Sequence, residues 1–151
     1  MSISVQIPNL QKVIELYKAY PENSRIRLTQ AIHQSATIVQ RNARILAPVA
    51  VSGLLRSSIG IKYGDLQAVV MPTSNYAIDV EEGTKPHMVS VHALQAWADF
   101  KGVPVYVIQR AIAKYGTKAQ PFMEQSATAS EGDVKQFFKD AVDDILNTLK
   151  T

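Results

Sequence analysis

A long amphipathic stretch that stops at a proline is the strongest constraint on how this chain folds. Apolar or small side chains recur every three or four positions along it, at Leu28, Ile32, Ser35 or Ala36, Val39, Ala43 and Leu46. Pro48 follows, and the residue before a proline disfavours helical backbone angles. The spacing therefore predicts one long helix, capped by Asn23 or Ser24 and ended before Pro48. Such a helix must bury its apolar stripe against other elements.

A strand pattern follows the long helix. Ile59, Ile61 and Tyr63 alternate with small or polar residues, which is the period of a half-buried strand. Gly64-Asp65 supplies a tight turn, and the more apolar stretch 66–71 returns as a second strand that Pro72 ends. These residues predict an antiparallel β-hairpin.

Turn and capping residues predict further helices, over 8–20, 76–83, 90–102, 104–116 and from Ser130 onwards. The stretch 76–83 also fits a strand, but Gly83 is a typical helix-ending residue and we favour the helix. Ser130-Glu131-Gly132-Asp133 has the pattern of a capping box that starts the last helix. Helices around one local hairpin predict an α+β fold. In it, a long N-terminal helix packs on a small antiparallel sheet, with additional helices and a C-terminal helix.

Length and composition exclude several classes of protein. A chain of 151 residues fits a single domain, over 1–151. The absence of cysteine excludes disulfide frameworks, cysteine-bound zinc and thiol nucleophiles. The longest apolar run, Ile45–Val51, is far shorter than the roughly 18 residues of a membrane span, and the first residues lack a secretory pattern. We therefore expect a soluble domain, made in a reducing compartment and without a membrane partner.

Residue types that carry catalysis or bind metals are few and scattered. His87 and His92 lie five positions apart near Glu81, which matches no standard metal-ligand spacing. The adjacent carboxylates Asp143 and Asp144 point in different directions on a helix and do not converge on a substrate. We therefore expect no catalytic residue, no metal, no cofactor and no enzymatic activity.

A small basic nucleic-acid-binding protein is the alternative that the charges leave open. The chain has 16 basic and 13 acidic residues, a net charge of +3. The cations that fall together on predicted helices are Arg27, Arg41 and Arg44, and then Arg110, Lys114 and Lys118. Stacking on bases also needs exposed aromatic rings beside the cations. Tyr115 is the only aromatic so placed, and its spacing assigns it to the apolar face of its helix, which favours a solvated basic surface.

Three segments, taken together, indicate a family. They are Ser52–Ile59, Tyr76–Thr84 and Ala119–Phe122, with the β-hairpin between the first two. In this order they resemble tailed-bacteriophage head–tail joining proteins, also described as neck, tail-completion or minor tail proteins. The matching positions are Gly53, Leu55, Arg56, Ser58, Ile59, Tyr76, Ala77, Val80, Glu81, Gly83, Thr84, Pro121 and Phe122. The resemblance covers most of the chain, and the stretch 87–118 departs from the shorter relatives as a helical insertion.

The resemblance implies a non-enzymatic structural virion protein, a ring at the head–tail junction through which DNA passes. The ring would be a hexamer, with a dodecamer as the alternative. Its neighbours would be connector, stopper, tail-terminator or tail-tube proteins, and DNA would touch it without sequence preference. The protein would be found in the virion, and in the host cytoplasm during assembly.

Roles for the motif residues follow from their chemistry. Gly53 and Gly83 suit backbone angles that other residues resist, and Tyr76, Val80 and Phe122 are expected to be buried. Two hypotheses fit the charged pair Arg56 and Glu81: an ion pair that braces the hairpin, or a contact between neighbouring subunits. A ring also needs apolar surface, for which the candidates are Val49, Val51, Val103, Val105 and Val107.

Overall fold

Seven helices and one β-hairpin make up the part of the chain that the computed structural model describes, residues 10–19, 21–49 and 53–148. In chain order they are α1 (Leu10–Ala19), α2 (Pro21–Leu46), α3 (Leu54–Ser58), β1 (Ile59–Gly64), β2 (Gln67–Pro72), α4 (Ala77–Glu82), α5 (Val91–Lys101), α6 (Val105–Tyr115) and α7 (Phe122–Thr148). The fold is α+β, as the sequence predicts.

The two long helices, α2 and α7, lie side by side and run in opposite directions. Near the start of α2, Leu28 packs with Ile145 close to the end of α7. Further along, Asn42 Nδ2 donates to Ser130 Oγ at 2.9 Å. The end of α2 reaches the start of α7, where Ala43 shares a buried cluster with Phe122. The end of one helix therefore meets the beginning of the other.

Small side chains fill the contact between these helices. The buried small residues of α2 and α7 include Ala31, Ala36, Ala43, Ser126 and Ser130. Small residues allow two helix axes to approach closely, because the distance between axes depends on the side chains at the contact. The serine hydroxyls remain paired, since Ser130 Oγ donates to Ser126 O at 2.6 Å and Ser126 Oγ donates to Met123 O at 2.8 Å. Burying them therefore does not leave these polar groups unsatisfied.

The β-hairpin lies along α2. Its two strands pair antiparallel, from Ile59 opposite Pro72 to Gly64 opposite Gln67. At the open end, Gln40 Nε2 and Arg44 NH2 each donate to Ile59 O at 2.8 Å. At the closed end, Arg25 forms an ion pair with Asp65. The hairpin therefore follows α2 from its last turns back to its first.

Two sequence predictions about local structure in this region are wrong by a few residues. The long helix begins at Pro21 rather than after Asn23 or Ser24. Proline suits the first helical position, because the N–H that it lacks would have no partner there. The tight turn is Asp65-Leu66 rather than Gly64-Asp65, and Leu66 has a φ of 48°. Its side chain packs against the cluster of Leu28 and Ile145, so burial compensates for an unfavourable backbone angle.

The capping box predicted at Ser130 is also wrong, because α7 already begins at Phe122. Ser130 is buried in mid-helix, and its hydroxyl bonds within the helix. The predicted apolar face is correct for Val134, Ala141 and Ile145, which are buried, while Phe138 is half-buried. Leu149, also predicted on this face, lies outside the described residues.

Helices α5 and α6 form a small unit of their own, which we call the α5–α6 unit (residues 87–118). The predicted bounds of both helices are confirmed, and Ser90 Oγ accepts from Ala93 N at 3.2 Å as the cap of α5. Ala98, Val105 and Ile108 make a separate buried cluster between the two helices. The chain enters and leaves this unit beside the antiparallel bridge of Thr84 and Thr117.

Candidate functional site

The three motif segments meet at one place, which we call the motif junction. Leu55 on α3, Ile59 on β1, Ala77 on α4 and Phe122 on α7 pack together against the end of α2. All four side chains are buried. Segments far apart in sequence thus share one apolar core. The motif residues thereby hold the ends of the two long helices together.

Arg56 caps the end of α2. Its Nε donates to Ala47 O at 2.8 Å, and its NH2 donates to Ile45 O at 3.2 Å. The last carbonyl groups of a helix have no partner within the helix, and a cation is favoured beside the negative end of the helix dipole. Arg56, which lies on α3, therefore stabilises the end of α2.

Glu81 caps the start of α7. One carboxylate oxygen accepts from the N–H of Met123 at 2.9 Å, and the other accepts from the N–H of Glu124 at 3.0 Å. The first N–H groups of a helix have no partner within the helix, and a negative charge is favoured there. Glu81 is only 8% exposed, so both oxygens are used inside the protein.

The ion pair proposed between Arg56 and Glu81 is therefore wrong. The described ion pairs are Arg25–Asp65, Arg27–Asp144 and Lys135–Glu131. Arg56 and Glu81 instead bond to backbone groups at the ends of two different helices. A buried Glu81 also presents no charge at the surface, which speaks against its use between subunits.

Glycine is required at Gly83, where α4 ends. The residue has φ 72° and ψ 176°, a conformation that is essentially restricted to glycine. A Cβ atom there would lie 2.5 Å from Thr117 O and 2.7 Å from Ala119 N. Next to it, Thr84 and Thr117 exchange two backbone hydrogen bonds of 3.1 Å, and their hydroxyls lie 3.0 Å apart. Gly83 thus allows the chain segments that enter and leave the α5–α6 unit to lie in direct contact.

The other motif residues have local roles. Gly53 has a φ of 62° and precedes α3, as expected. Ser58 Oγ donates to Leu55 O at 2.8 Å, which closes that short helix. Val80 is half-buried, and its carbonyl accepts from Gln120 N at 2.8 Å just before Pro121. Tyr76, predicted to be buried, is 39% exposed because it precedes α4 rather than facing the core.

Exposed aliphatic side chains lie on the segments that form the motif junction. They are Ile45, Leu46, Val49, Leu54 and Ile78, between 40% and 68% exposed. Leu46 also borders an open cleft of about 380 Å³ with Pro121 and Gln125. Among the valines predicted for an interface, Val49, Val103 and Val107 are exposed, but Val105 is buried between α5 and α6. Val51 lies outside the described residues.

Two of the histidines and the one carboxylate with a shifted pKa have ordinary local partners among the described residues. Within those ranges no three histidine, aspartate or glutamate side chains are grouped so that they could hold a metal ion. His87 Nδ1 bonds to Lys85 O, and the His33 ring lies 4.3 Å from that of Tyr63. A hydrogen bond from Lys135 lowers the pKa of Glu131, but this pair lies on the exposed face of α7. In the described part of the chain no helix is long and apolar enough to cross a membrane.

The cations considered for nucleic-acid binding divide into two groups. On α2, Arg44 donates to Ile59 O and Arg27 pairs with Asp144. Arg41 is exposed and is the α2 cation of this group most available to a phosphate. On α6, Arg110 and Lys114 lie beside a cleft of about 400 Å³ that Tyr106 and Tyr115 also line. Tyr115 is 71% exposed, so its assignment to an apolar face is wrong.

Tyr106 was missed at the sequence level, although a signal for it exists. Tyr106, Arg110 and Lys114 follow one another at intervals of four, which places them along one line of a helix. The apolar face of α6 is instead set by Val105, Ile108 and Ile112, which pack against α5. Tyr115 lies seven residues after Ile108, but it is the last residue of α6 and is not part of the cluster between α5 and α6.

Comparison with known proteins adds no relative to this description. No protein-family model, no curated protein and no solved structure matches the chain. The resemblance to head–tail joining proteins therefore rests on the ordered motifs, whose residues meet at the motif junction.

Proposed function

We propose that this protein is a non-enzymatic structural component of a tailed-bacteriophage virion. It assembles with copies of itself into a ring at the head–tail junction, in a neck or tail-completion role, and DNA passes through the ring. We expect a hexamer, with a dodecamer as the alternative. Connector, stopper, tail-terminator or tail-tube proteins are its neighbours in the virion, and assembly takes place in the host cytoplasm.

The observation that carries this proposal is the exposed aliphatic surface around the motif junction. Ile45, Leu54 and Ile78 are each more than half exposed, although they lie on three different elements that meet there. Burying apolar surface stabilises an association by about 25 cal/mol for each Å² removed from water. An interface between copies of the chain would provide that burial. A ring requires such an interface to be head-to-tail and to close on itself.

The motif junction also supplies the stiffness that a ring contact needs. Glu81 caps the start of α7 and Arg56 caps the end of α2, so both charged side chains are fixed by hydrogen bonds within the protein. Surfaces that keep their shape lose less conformational entropy on association. The exposed aliphatic residues are therefore presented on a frame that is already ordered.

The proposal is tested by native mass spectrometry of the whole chain. We expect a closed assembly of six or twelve copies, which appears as a ring in electron micrographs. Replacing Ile45 with glutamate should release smaller species, because a charge would enter the interface. Ile26→Glu is the matched control, since Ile26 lies near the other end of the same helix and is 48% exposed, against 63% for Ile45.

A wild-type monomer at every concentration, alone and with the products of neighbouring genes, would overturn the proposal. If the wild type forms a ring that Ile45→Glu and Ile26→Glu leave equally intact, the ring stands but its interface lies elsewhere. Capsid, portal and tail genes beside this one would support the role independently.

A further inference from the structure

We propose that the outer face of the α5–α6 unit binds single-stranded nucleic acid. The relevant face is formed by Tyr106, Val107, Arg110, Ala111, Lys114 and Tyr115, and we call it the α6 face. This inference does not depend on ring formation, because the α6 face lies on the small unit and not at the motif junction.

The α5–α6 unit carries the net charge of the protein. Residues 87–118 contain four basic residues, Lys101, Arg110, Lys114 and Lys118, and one acidic residue, Asp99. Their net charge of +3 equals that of the whole chain, so the remainder is balanced. Helix α6 itself contains no acidic residue. Asp99 lies on α5, where Gln95 Nε2 donates to it at 2.7 Å.

Exposed aromatic rings accompany these cations. Tyr106 is 67% exposed and Tyr115 is 71% exposed, while on α5 Phe100 is 55% and Trp97 is 39% exposed. Large aromatic side chains contribute strongly to stability when they are buried, so several exposed rings on one small unit indicate a binding surface. Rings beside cations are the arrangement with which proteins bind unpaired bases and the phosphates between them.

The geometry of the α6 face fits a strand that crosses the helix obliquely. Tyr106 and Tyr115 both line the cleft, and they are nine residues apart, about 13.5 Å along the axis and two and a half turns around it. This distance is several times the 3.4 Å rise per nucleotide of a stacked strand. Arg110 and Lys114 lie between the rings, and Lys114 Nζ is 4.9 Å from the centre of the Tyr115 ring. A phosphate at Lys114 would thus be next to a base on Tyr115.

A single strand fits better than a duplex or an acidic peptide. In a duplex the faces of the bases are stacked on each other and cannot reach a tyrosine ring. An acidic peptide would use the two cations, but it offers no flat groups for the rings. Unpaired bases use both kinds of side chain, because every base has a face that can stack.

The test follows the fluorescence of Trp97, the only tryptophan of the chain, in the α5–α6 unit. Whole wild-type protein is titrated with a 12-nucleotide oligothymidylate at several salt concentrations. We expect saturable quenching, with an affinity that falls as salt rises because phosphates are neutralised. Arg110→Glu with Lys114→Glu should weaken binding by roughly tenfold or more. Tyr106→Ala with Tyr115→Ala should weaken it by a similar factor while leaving the salt dependence unchanged.

The matched control is Arg41→Glu with Lys139→Glu, which makes the same change of charge at two exposed positions on α2 and α7. It should bind the oligonucleotide at least several times more tightly than the α6 variant does. Circular dichroism verifies that each variant remains folded, and a variant that unfolds is replaced by Arg110→Gln with Lys114→Gln.

Results of three kinds would overturn the inference. The first is no binding by the wild type, or equal loss in the control and α6 variants. The second is that a duplex of the same length or polyglutamate binds as tightly as the single strand. The third is an α6 variant that changes the oligomeric mass but not the oligonucleotide affinity, which would make the α6 face a protein contact. Results of the first and second kinds say nothing about ring formation, which mass spectrometry measures separately.

Discussion

Glu81 Oε2 accepts a hydrogen bond from the backbone N–H of Met123 at 2.9 Å, across 42 positions of sequence. The other carboxylate oxygen accepts from the next N–H, that of Glu124. A six-residue helix, α4, thereby fixes the first turn of the 27-residue helix α7. This relationship makes Glu81 a structural cap, and its consequences can be measured.

Replacing Glu81 with alanine should destabilise the protein by about 2–3 kcal/mol. Two N–H groups at the start of α7 would lose their acceptor, and a favourable charge near the helix end would be removed. Urea unfolding followed by circular dichroism measures the change. The adjacent Glu82 is exposed, so Glu82→Ala should change the free energy of unfolding by less than about 0.5 kcal/mol. Equal effects at the two positions would contradict the capping role.

Reversing the charges of Arg56 and Glu81 together should not restore stability. Each residue caps a different helix, so Arg56→Glu and Glu81→Arg each leave backbone groups without a partner. In a double-mutant cycle we expect the two losses to add within about 0.5 kcal/mol. Recovery of stability in the double variant would instead indicate a direct interaction between the two side chains.

Gly83→Ala should cost about 3 kcal/mol in unfolding free energy. The backbone angles of Gly83 strain any other residue, and the new Cβ would meet the backbone at Thr117 and Ala119. Gly102→Ala serves for comparison, because Gly102 also has a positive φ of 64° but no atom within 4 Å of an added Cβ. We expect it to cost only about 1 kcal/mol. Similar losses at both glycines would mean that the strands at Thr117 can move aside.

Two buried serines on the facing helices should respond in opposite directions to alanine. Ser35 Oγ is buried and has no hydrogen-bond partner among the described residues, so Ser35→Ala should stabilise the protein by up to about 1 kcal/mol. Ser130 Oγ accepts from Asn42 and donates to Ser126 O, so Ser130→Ala should cost about 1–3 kcal/mol. Thermal unfolding of both variants gives the signs directly, and a loss of stability in Ser35→Ala would reveal a partner for its hydroxyl.

The elements that could be predicted from the sequence are those whose ends are set by local chemistry. Helix α5 lies between Ser90 and Gly102, and α6 lies between Pro104 and Gly116, as predicted. These ends could be predicted because each cap is next to its helix in sequence. The start of α7 was missed, since its cap is Glu81 and not Ser130. A cap that lies 42 positions away in sequence leaves no local sequence pattern. Ser130, which the capping-box pattern assigned to the helix start, is instead a small buried residue that contacts α2.

The candidate site divides in the same way. The burial of Phe122 could be predicted from the sequence, whereas the core that it shares with Leu55 and Ile59 was not predicted. The partners of Arg56 and Glu81 could not be inferred from the sequence. Opposite charges favour the prediction of an ion pair, whereas the actual partners are backbone groups at helix ends that come close only in the folded chain. Exposure of Tyr115 was likewise unpredictable, since it depends on where α5 stops covering α6.

The bridge between Thr84 and Thr117 has a consequence for how such a chain can change over generations. The chain leaves the rest of the protein at Thr84 and returns to it at Thr117. Because these two residues pair directly, the ends of the α5–α6 unit are only one hydrogen-bonded pair apart. A segment joined in this way can be excised and replaced by a tight turn, or exchanged for another, while α4 and α7 stay where they are. We therefore expect the α5–α6 unit and the rest of the protein to diverge in sequence at different rates. The unit can also be transferred to another protein as a single insertion.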